Sequence, residues 1–178
     1  MSQQWQSYHS LITTPPAPLV PWLRDPTSFM QRLRDHGVAQ SRVRVLSQQW
    51  QFPTPEECKL LGIASRNYGL VREVVIGSQE GKWMFARTVI PRTTLTGREQ
   101  LLARLKNRAL GTMLFNNPAV TRSPFEFTVI APDALLHKKI RHHAELNVAE
   151  LWARRSIFQI KNKSLLLTEV FFPDLMEL

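Results

Sequence analysis

The architecture of this chain is set by LVREVVIGSQEGKWMFARTVIP, residues 70–91. Residues 70–76 and 83–90 are rich in β-branched and aromatic side chains, and a glycine-containing stretch at 77–81 separates them. This pattern predicts a β-hairpin that ends at Pro91. An antiparallel pair of strands therefore lies at the centre of the predicted fold.

Working outward, the sequence predicts three more strand regions. Residues 151–160 and 164–173 flank a short polar turn and predict a second hairpin. Alternating apolar residues predict single strands at 41–52 and 125–130. Because strands that follow each other in sequence usually pair, we expect a meander.

Helix signals occur between the strands. Capping patterns predict helices that begin near Asp25, at Thr54 and at Thr96, and a further helical turn is predicted at 110–115. Residues 131–149 are ambiguous and are expected to be partly helical. The combination predicts an α+β domain whose mainly antiparallel sheet carries its helices on one side or end.

Length and composition limit the fold class. The chain has 178 residues, of which 43% are hydrophobic, which suits one compact domain. We expect this single domain to span 20–178, preceded by an extended, proline-containing arm at 1–19. The sequence has no long apolar run and no secretory signal, so we expect a cytoplasmic protein. A single cysteine, Cys58, excludes an internal disulfide and a cysteine-cluster zinc site.

The positive charge is uneven along the chain. The formal net charge is +9, and residues 61–120 contain nine Lys and Arg against three Asp and Glu. Nucleic acid, an anionic membrane surface or a small anionic ligand would each explain this excess, and so would solubility alone. The cations do not form a stripe with interleaved aromatic residues, so we expect no nucleic-acid partner.

The sequence shows no clear motif for phosphate binding, nucleophilic catalysis or metal binding. The sequence lacks a glycine-rich phosphate loop and a Gly-x-Ser-x-Gly turn. His137, His142 and His143 form a loose cluster among basic residues, which favours an exposed basic segment over a metal site.

Three charged residues lie within predicted strands. Alternation places Arg72, Arg87 and Glu169 each on the same side as apolar neighbours. A buried Arg–Glu pair that stabilises the sheet would explain this pattern, and so would a partly exposed apolar face. The functional alternative is a closed apolar pocket with two guanidinium groups and one carboxylate, suited to a small ring that carries carboxylates and a hydroxyl.

Four stretches carry a family resemblance. They are LVREV (70–74), ARTVIP (86–91), ALGTMLF (109–115) and LLLTEVFFP (165–173). In this order they resemble the chorismate pyruvate-lyase family, over about residues 20–173. The resemblance implies a mainly antiparallel sheet with helical flaps over an internal ligand pocket.

The resemblance also implies an activity. Members of that family convert chorismate to 4-hydroxybenzoate and pyruvate, an early step of ubiquinone biosynthesis in many bacteria, without a metal or organic cofactor. We therefore expect a monomeric lyase whose partners are chorismate and 4-hydroxybenzoate. A non-catalytic sensor of small aromatic carboxylates is the alternative, because effector domains of some transcription regulators share this fold. Glu169, and the lack of a helix-turn-helix pattern in this sequence, favour the lyase.

The motifs of this resemblance also imply which residues form the site. The resemblance implies that Arg72 binds the ring carboxylate, that Glu169 meets the hydroxyl end of the ring, and that Leu110 offers backbone contacts beside the carboxylate. Phe29, in the first predicted helix, is the best match for a backbone contact from a flap. From its charge, we expect Arg87 to bind the enolpyruvyl carboxylate. Glu169 would act as acid, as base or only as a hydrogen-bond partner, since an apolar surrounding raises its pKa and a nearby Arg lowers it.

The chain departs from the family pattern between Arg122 and Trp152, where it is longer by about one helix. The extra part includes the basic stretch 137–143. A basic flap or a weak docking element for an anionic membrane surface would fit, and a solvated loop is the favoured expectation.

Overall fold

The computed structural model describes residues 4–115, 117–144 and 150–178. These residues form a single α+β domain with a seven-stranded antiparallel sheet, which confirms the predicted fold class. The strands are β1 (Arg42–Gln51), β2 (Gly69–Gly77), β3 (Lys82–Pro91), β4 (Val120–Arg122), β5 (Glu126–Ile130), β6 (Leu151–Ile160) and β7 (Lys163–Phe171). The α-helices are α1 (Val20–Arg24), α2 (Phe29–Asp35), α3 (Pro55–Leu61), α4 (Leu110–Leu114) and α5 (Leu135–Ala144). Shorter 3-10 helices span Tyr8–Ser10, Ala17–Leu19, Gly97–Arg104 and Pro173–Glu177.

Both predicted hairpins are confirmed, but the sheet is not a meander. Its strand order is β1-β2-β3-β7-β6-β4, so β7 pairs with β3 and not only with its hairpin partner β6. The far edge of β6 is shared, because its first half pairs with β5 and its last three residues pair with β4. A ten-residue strand is long enough to hold two short partners on one edge.

The sheet has two apolar faces, and helices cover both. The cavity face, which carries Arg72 and Glu169, packs against α1, α2 and α4. The opposite face, which carries Glu73 and Arg87, packs against α3 and α5. The expectation that the helices gather on one side is therefore wrong. Alternating residues of β2 and β3 are buried on both sides, which gives strands that are apolar almost throughout.

The capping patterns predicted at Thr54 and at Thr96 have different outcomes. At α3 the Thr54 hydroxyl accepts from the Glu57 N–H (3.2 Å) and the Glu57 carboxylate accepts from the Thr54 N–H (2.8 Å), as predicted. Gly62 ends this helix in the left-handed conformation, with φ of +63°. Thr96 makes no such cap, and Gly97–Arg104 is a 3-10 helix, in which the Glu99 carboxylate pairs with Lys163.

The N-terminal region is more ordered than an extended arm. Gln6 forms a β-bridge with Phe127, and Leu19 is buried in the same core as α1. The prediction missed α1, which has Pro21 in its first turn. The predicted first helix is α2, which begins at Phe29 rather than near Asp25.

The segment after β5, which the sequence comparison predicted to be longer than the family pattern, contains α5. Ile140 packs in the core of the opposite face, so this segment is neither a solvated loop nor a flap over the cavity face. Residues 145–149 of the predicted 131–149 segment lie outside the described residues. None of the described helices has the length and apolar character needed to cross a membrane.

Candidate active site

A cavity lies between the cavity face of the sheet and the first residues of α2 and α4. The sheet contributes apolar side chains to its floor and three charged ones, Arg72, Arg122 and Glu169. The first residues of α2 and α4 close the other side of the cavity, and we call these two helix starts the cover. The principal lining residues are Phe29, Met30, Val74, Ala86, Thr88, Leu110, Gly111, Phe115, Arg122 and Leu167.

Arg72 is buried at this cavity, with 2% of its surface exposed. Its guanidinium donates to the Lys106 and Arg108 carbonyl oxygens at 2.8 and 2.9 Å and to Gln48 Oε1 at 3.1 Å. Among the described residues, no carboxylate pairs with it, and burial lowers its pKa. Its positive charge is therefore held in place by neutral acceptors and left open to an anion in the cavity.

Glu169 is buried and lies between two arginines. Arg154 binds it bidentately through one edge of the guanidinium, with Nε donating to Oε2 at 2.6 Å and Nη2 donating to Oε1 at 3.1 Å. Arg122 Nη2 donates to Oε2 at 3.1 Å. Burial alone would raise the pKa of Glu169, but the two arginines outweigh it and hold this pKa below its ordinary value. The side chain is therefore a carboxylate, a point that the sequence left open.

Arg154 positions this carboxylate. Its Nη1 donates to three backbone carbonyl oxygens, those of Trp22, Leu23 and Asp25, at 2.7 to 3.0 Å. These carbonyls belong to the last turn of α1 and the residue after it. Arg154 therefore ties Glu169 to α1 while lying outside the lining of the cavity.

Arg122 is the last residue of β4 and lines the cavity beside Glu169. Its Nε donates to Ser156 Oγ at 2.7 Å. The guanidinium lies over the rings of Phe125 and Phe158, 4.1 and 4.7 Å from their centroids. Burial lowers the pKa of Arg122 to about 10, although Glu169 opposes the shift.

Leu110 and Phe29 occupy equivalent positions on the cover. Leu110 is the first residue of α4, Phe29 is the first residue of α2, and both line the cavity. The two helices touch where Gly111 meets Ser28. A Cβ on Gly111 would lie 2.8 Å from Ser28 Oγ, so a larger residue would force the two helix starts apart.

Arg87 is not in the cavity, so its predicted place beside Arg72 is wrong. It points from the opposite face of the sheet, where its Nε and Nη2 donate to Glu57 at 2.7 and 3.1 Å and its Nη1 donates to Glu73 at 2.7 Å. The pairing register explains the error. Arg72 lies across from Thr88, and Glu73 lies across from Arg87, so the two arginines point to opposite sides.

Sequence reasoning also missed Arg122 and Arg154. The sequence around Arg154 contains the same signal that identified Arg72, a charged residue on an apolar strand face. Arg154 shares its face with Trp152, as Arg72 does with Leu70. Arg122 carried none, since its place depends on the pairing of a three-residue strand with the far edge of β6.

The fold class is shared with ligand-binding domains of transcription regulators. The effector domain of PhnF from Mycobacterium smegmatis is similar over 83% of this chain and 90% of its own, with a TM-score of 0.61 and 11% identity. A GntR-family regulator from Bacillus cereus is similar over 76% and 94%, with a TM-score of 0.59 and 11% identity. At this identity the likeness shows the fold alone.

The family is shown by sequence. The chorismate lyase family model matches residues 2–177. A protein of Aromatoleum aromaticum named "Probable chorismate pyruvate-lyase" is 36% identical and covers 92% of this chain and 89% of its own. One of the same name from Pseudomonas putida is 36% identical and covers 97% and 90%. The chain belongs to the chorismate lyase family.

Proposed function

We propose that this protein converts chorismate to 4-hydroxybenzoate and pyruvate. The observation that carries the proposal is the buried guanidinium of Arg72, which has no carboxylate partner among the described residues and opens into the same cavity as the Glu169 carboxylate. A buried cation left without an acid is costly unless a ligand supplies one. The family to which the chain belongs supports chorismate as that ligand.

The placement of charged and apolar side chains in the cavity suits this ligand. Arg72 on β2 and Glu169 on β7 are two strands apart and offset by two residues in register, which corresponds to roughly 12 Å between their backbones. A six-membered ring with a carboxylate at one end and a hydroxyl at the other fits between them, against the apolar side chains of Val74, Ala86 and Leu167.

The reaction is an elimination. The ring carbon that bears the hydroxyl loses its proton, the electron pair forms a ring double bond, and the ether bond to the enolpyruvyl group breaks. The ring becomes aromatic, and the departing enolpyruvate takes up a proton on carbon to give pyruvate. Aromatisation supplies much of the driving force, so orientation and charge stabilisation by the protein suffice.

The proposed roles follow from the protonation state of each group. Arg72 binds the ring carboxylate, with Leu110 offering backbone contacts beside it. Glu169, as a carboxylate, accepts a hydrogen bond from the ring hydroxyl or the proton from its carbon, and it is not the acid. Phe29 supplies a backbone contact from α2, and the cover formed by α2 and α4 excludes water.

The cellular setting is also proposed. We further propose that the product enters ubiquinone formation and that the protein acts in the cytoplasm as a monomer. The exposed cations of α5, Lys138 and Arg141, support a weak contact with an anionic membrane surface.

An ultraviolet assay tests the proposal. Purified protein is mixed with chorismate without added metal, and 4-hydroxybenzoate and pyruvate are followed together. We expect equal amounts of the two products, a loss of at least about 100-fold in kcat/KM for Arg72→Ala, and an unchanged rate for Arg66→Ala. Arg66 is an exposed arginine outside the cavity, and circular dichroism checks the fold of both variants.

Two other outcomes would overturn the proposed lyase activity. Binding of 4-hydroxybenzoate without any turnover would indicate a sensor of the same fold. If the wild-type protein neither turns over chorismate nor binds 4-hydroxybenzoate, only the assignment of the fold would stand.

A further inference from the structure

The cavity holds a second cation, Arg122, at its far end from Arg72. Arg72 is on β2, whereas the Nη2 of Arg122 is 3.1 Å from Oε2 of Glu169 on β7. The two guanidinium groups therefore lie at the two ends of the space that the proposed function assigns to the ring. Each lines the cavity.

The other arginines near this site are committed elsewhere. Arg87 points to the opposite face and is paired with Glu57 and Glu73. Arg154 gives its three nitrogens to Glu169 and to three backbone carbonyls and does not line the cavity. Among the described residues that line the cavity, the cations are Arg72 and Arg122.

Substrate geometry then distinguishes the two ends. This step rests on the proposed function. Chorismate carries its enolpyruvyl ether on the ring carbon next to the one that bears the hydroxyl. With the hydroxyl at Glu169, the enolpyruvyl carboxylate lies beside Glu169 and away from Arg72. We propose that Arg122 binds the enolpyruvyl carboxylate and stabilises the negative charge of the enolpyruvate as it leaves.

The state of Arg122 supports this role. Its hydrogen bonds within the described chain engage three of five N–H groups, to Ser156, Glu169 and, at 3.3 Å, the Pro26 carbonyl. Stacking on Phe125 fixes the plane of the guanidinium without using a donor. Glu169 does not fully offset the cost of burying this charge, because Arg154 also lies close, and a second carboxylate would reduce that cost.

Arg122 adds no chemical step to the elimination. The bond from the ring carbon to the ether oxygen breaks, the pair of electrons stays on that oxygen, and the resulting enolpyruvate carries both its carboxylate and the new charge. A guanidinium beside this group stabilises the leaving charge more than the ground state, which lowers the barrier.

Ligand affinities separate this role from a structural one. The probes are 4-hydroxybenzoate, which lacks the enolpyruvyl group, and 3-[(1-carboxyvinyl)oxy]benzoate, an aromatic compound that retains both carboxylates and cannot eliminate. For Arg122→Gln we expect the Kd of the dicarboxylate to rise about 10- to 100-fold and that of 4-hydroxybenzoate by less than about threefold. The dicarboxylate lacks the hydroxyl that meets Glu169, so a role of Arg122 limited to holding Glu169 in place would raise mainly the Kd of 4-hydroxybenzoate. That result, or an equal rise in both Kd values, would overturn the proposal.

Two further measurements test the proposal in case Arg122→Gln fails to fold. Arg122→Lys keeps the charge next to Glu169 but loses the planar fork, so we expect part of the dicarboxylate preference to remain. A second measurement uses the wild-type protein and the dicarboxylate probe methylated on its enolpyruvyl carboxylate. We expect this ester to bind at least about tenfold more weakly than the unesterified dicarboxylate. Equal binding of ester and acid would overturn the proposal. A wild-type protein that makes no 4-hydroxybenzoate would instead contradict the proposed function.

Discussion

Two buried glutamates lie on opposite faces of the same sheet, and each is held by two cations. Glu169 on the cavity face is bound by Arg154 and Arg122. Glu73 on the opposite face is bound by Arg87 and Lys139, and it also accepts from Ser47 Oγ at 2.9 Å. In both cases the cations hold the pKa of the carboxyl below its ordinary value despite burial.

The surroundings of the two glutamates differ. Arg87 divides its donors between Glu73 and Glu57, so the cations of the opposite face are matched by acids of the chain. On the cavity face, Arg72 has no acid partner in the described chain, and Arg122 shares Glu169 with Arg154. A buried ion pair is therefore no sign of a binding site by itself, whereas a buried cation that lacks its own acid and lines a cavity is one.

The largest expected difference between the faces is in turnover. Glu169→Gln removes the acceptor at the hydroxyl end of the ring, and we expect kcat to fall by at least about 100-fold. Glu73→Gln is the matched control on the other face, and its kcat per folded molecule should stay within about threefold of wild type. Steady-state kinetics with chorismate measure both values. Equal losses in the two variants would remove the distinction between the faces.

The second difference is in stability. Glu73→Gln leaves Lys139 without its anion and Arg87 with Glu57 alone, so we expect the free energy of unfolding to fall by about 3 kcal/mol. Urea unfolding followed by circular dichroism measures it. An unfolding curve that coincides with that of the wild type would show that the Glu73 cluster does not stabilise the sheet.

The third expected effect is a dependence of stability on pH. Because the pKa values of Glu73 and Glu169 are lowered on folding, their contribution is present above the ordinary glutamate value of 4.5 and is lost as pH falls through the folded values. We expect the free energy of unfolding to decrease between pH 5 and lower pH, and to decrease less steeply in Glu73→Gln. A wild-type profile that stays flat over this range would count against the ion pairs.

The smallest expected effect concerns the cover of the cavity face. In Gly111→Ala, the new Cβ meets Ser28 Oγ at 2.8 Å and separates the first residues of α2 and α4. We expect faster release of 4-hydroxybenzoate and a Kd about three- to tenfold weaker. Rapid-mixing kinetics measure the release. Ser28→Ala combined with Gly111→Ala should restore part of the affinity, because it removes the nearest clashing atom, and no restoration would place the effect elsewhere.

Local patterns predicted much of this molecule. The hairpins followed from β-branched runs, α3 from its Thr54–Glu57 capping box, and Arg72 and Glu169 from charge on an apolar strand face. Each of these signals lies within a few residues of sequence. They depend on side-chain alternation and helix capping, which the chain expresses locally.

What the sequence did not reveal depends on long-range pairing. Arg87 points away from the cavity because its strand pairs with β2 in one particular register. Arg122 reaches Glu169 because β4 joins the edge of β6, and the ionisation of Glu169 depends on Arg122 and Arg154 together. Strand alternation gives the side of each residue within its strand but not which sides coincide across strands.

The decisive measurement is the rate of 4-hydroxybenzoate formation in Arg72→Ala and Arg87→Ala, each corrected for the folded fraction. We expect Arg72→Ala to lower this rate by at least about 100-fold and to keep its fold, because Arg72 has no acid partner to leave behind among the described residues. We expect Arg87→Ala to lower stability, because Glu57 loses its cation and Glu73 keeps only Lys139, but to keep its turnover. Turnover that survives in Arg72→Ala and disappears in folded Arg87→Ala would contradict the assignment of the cavity face as the active site.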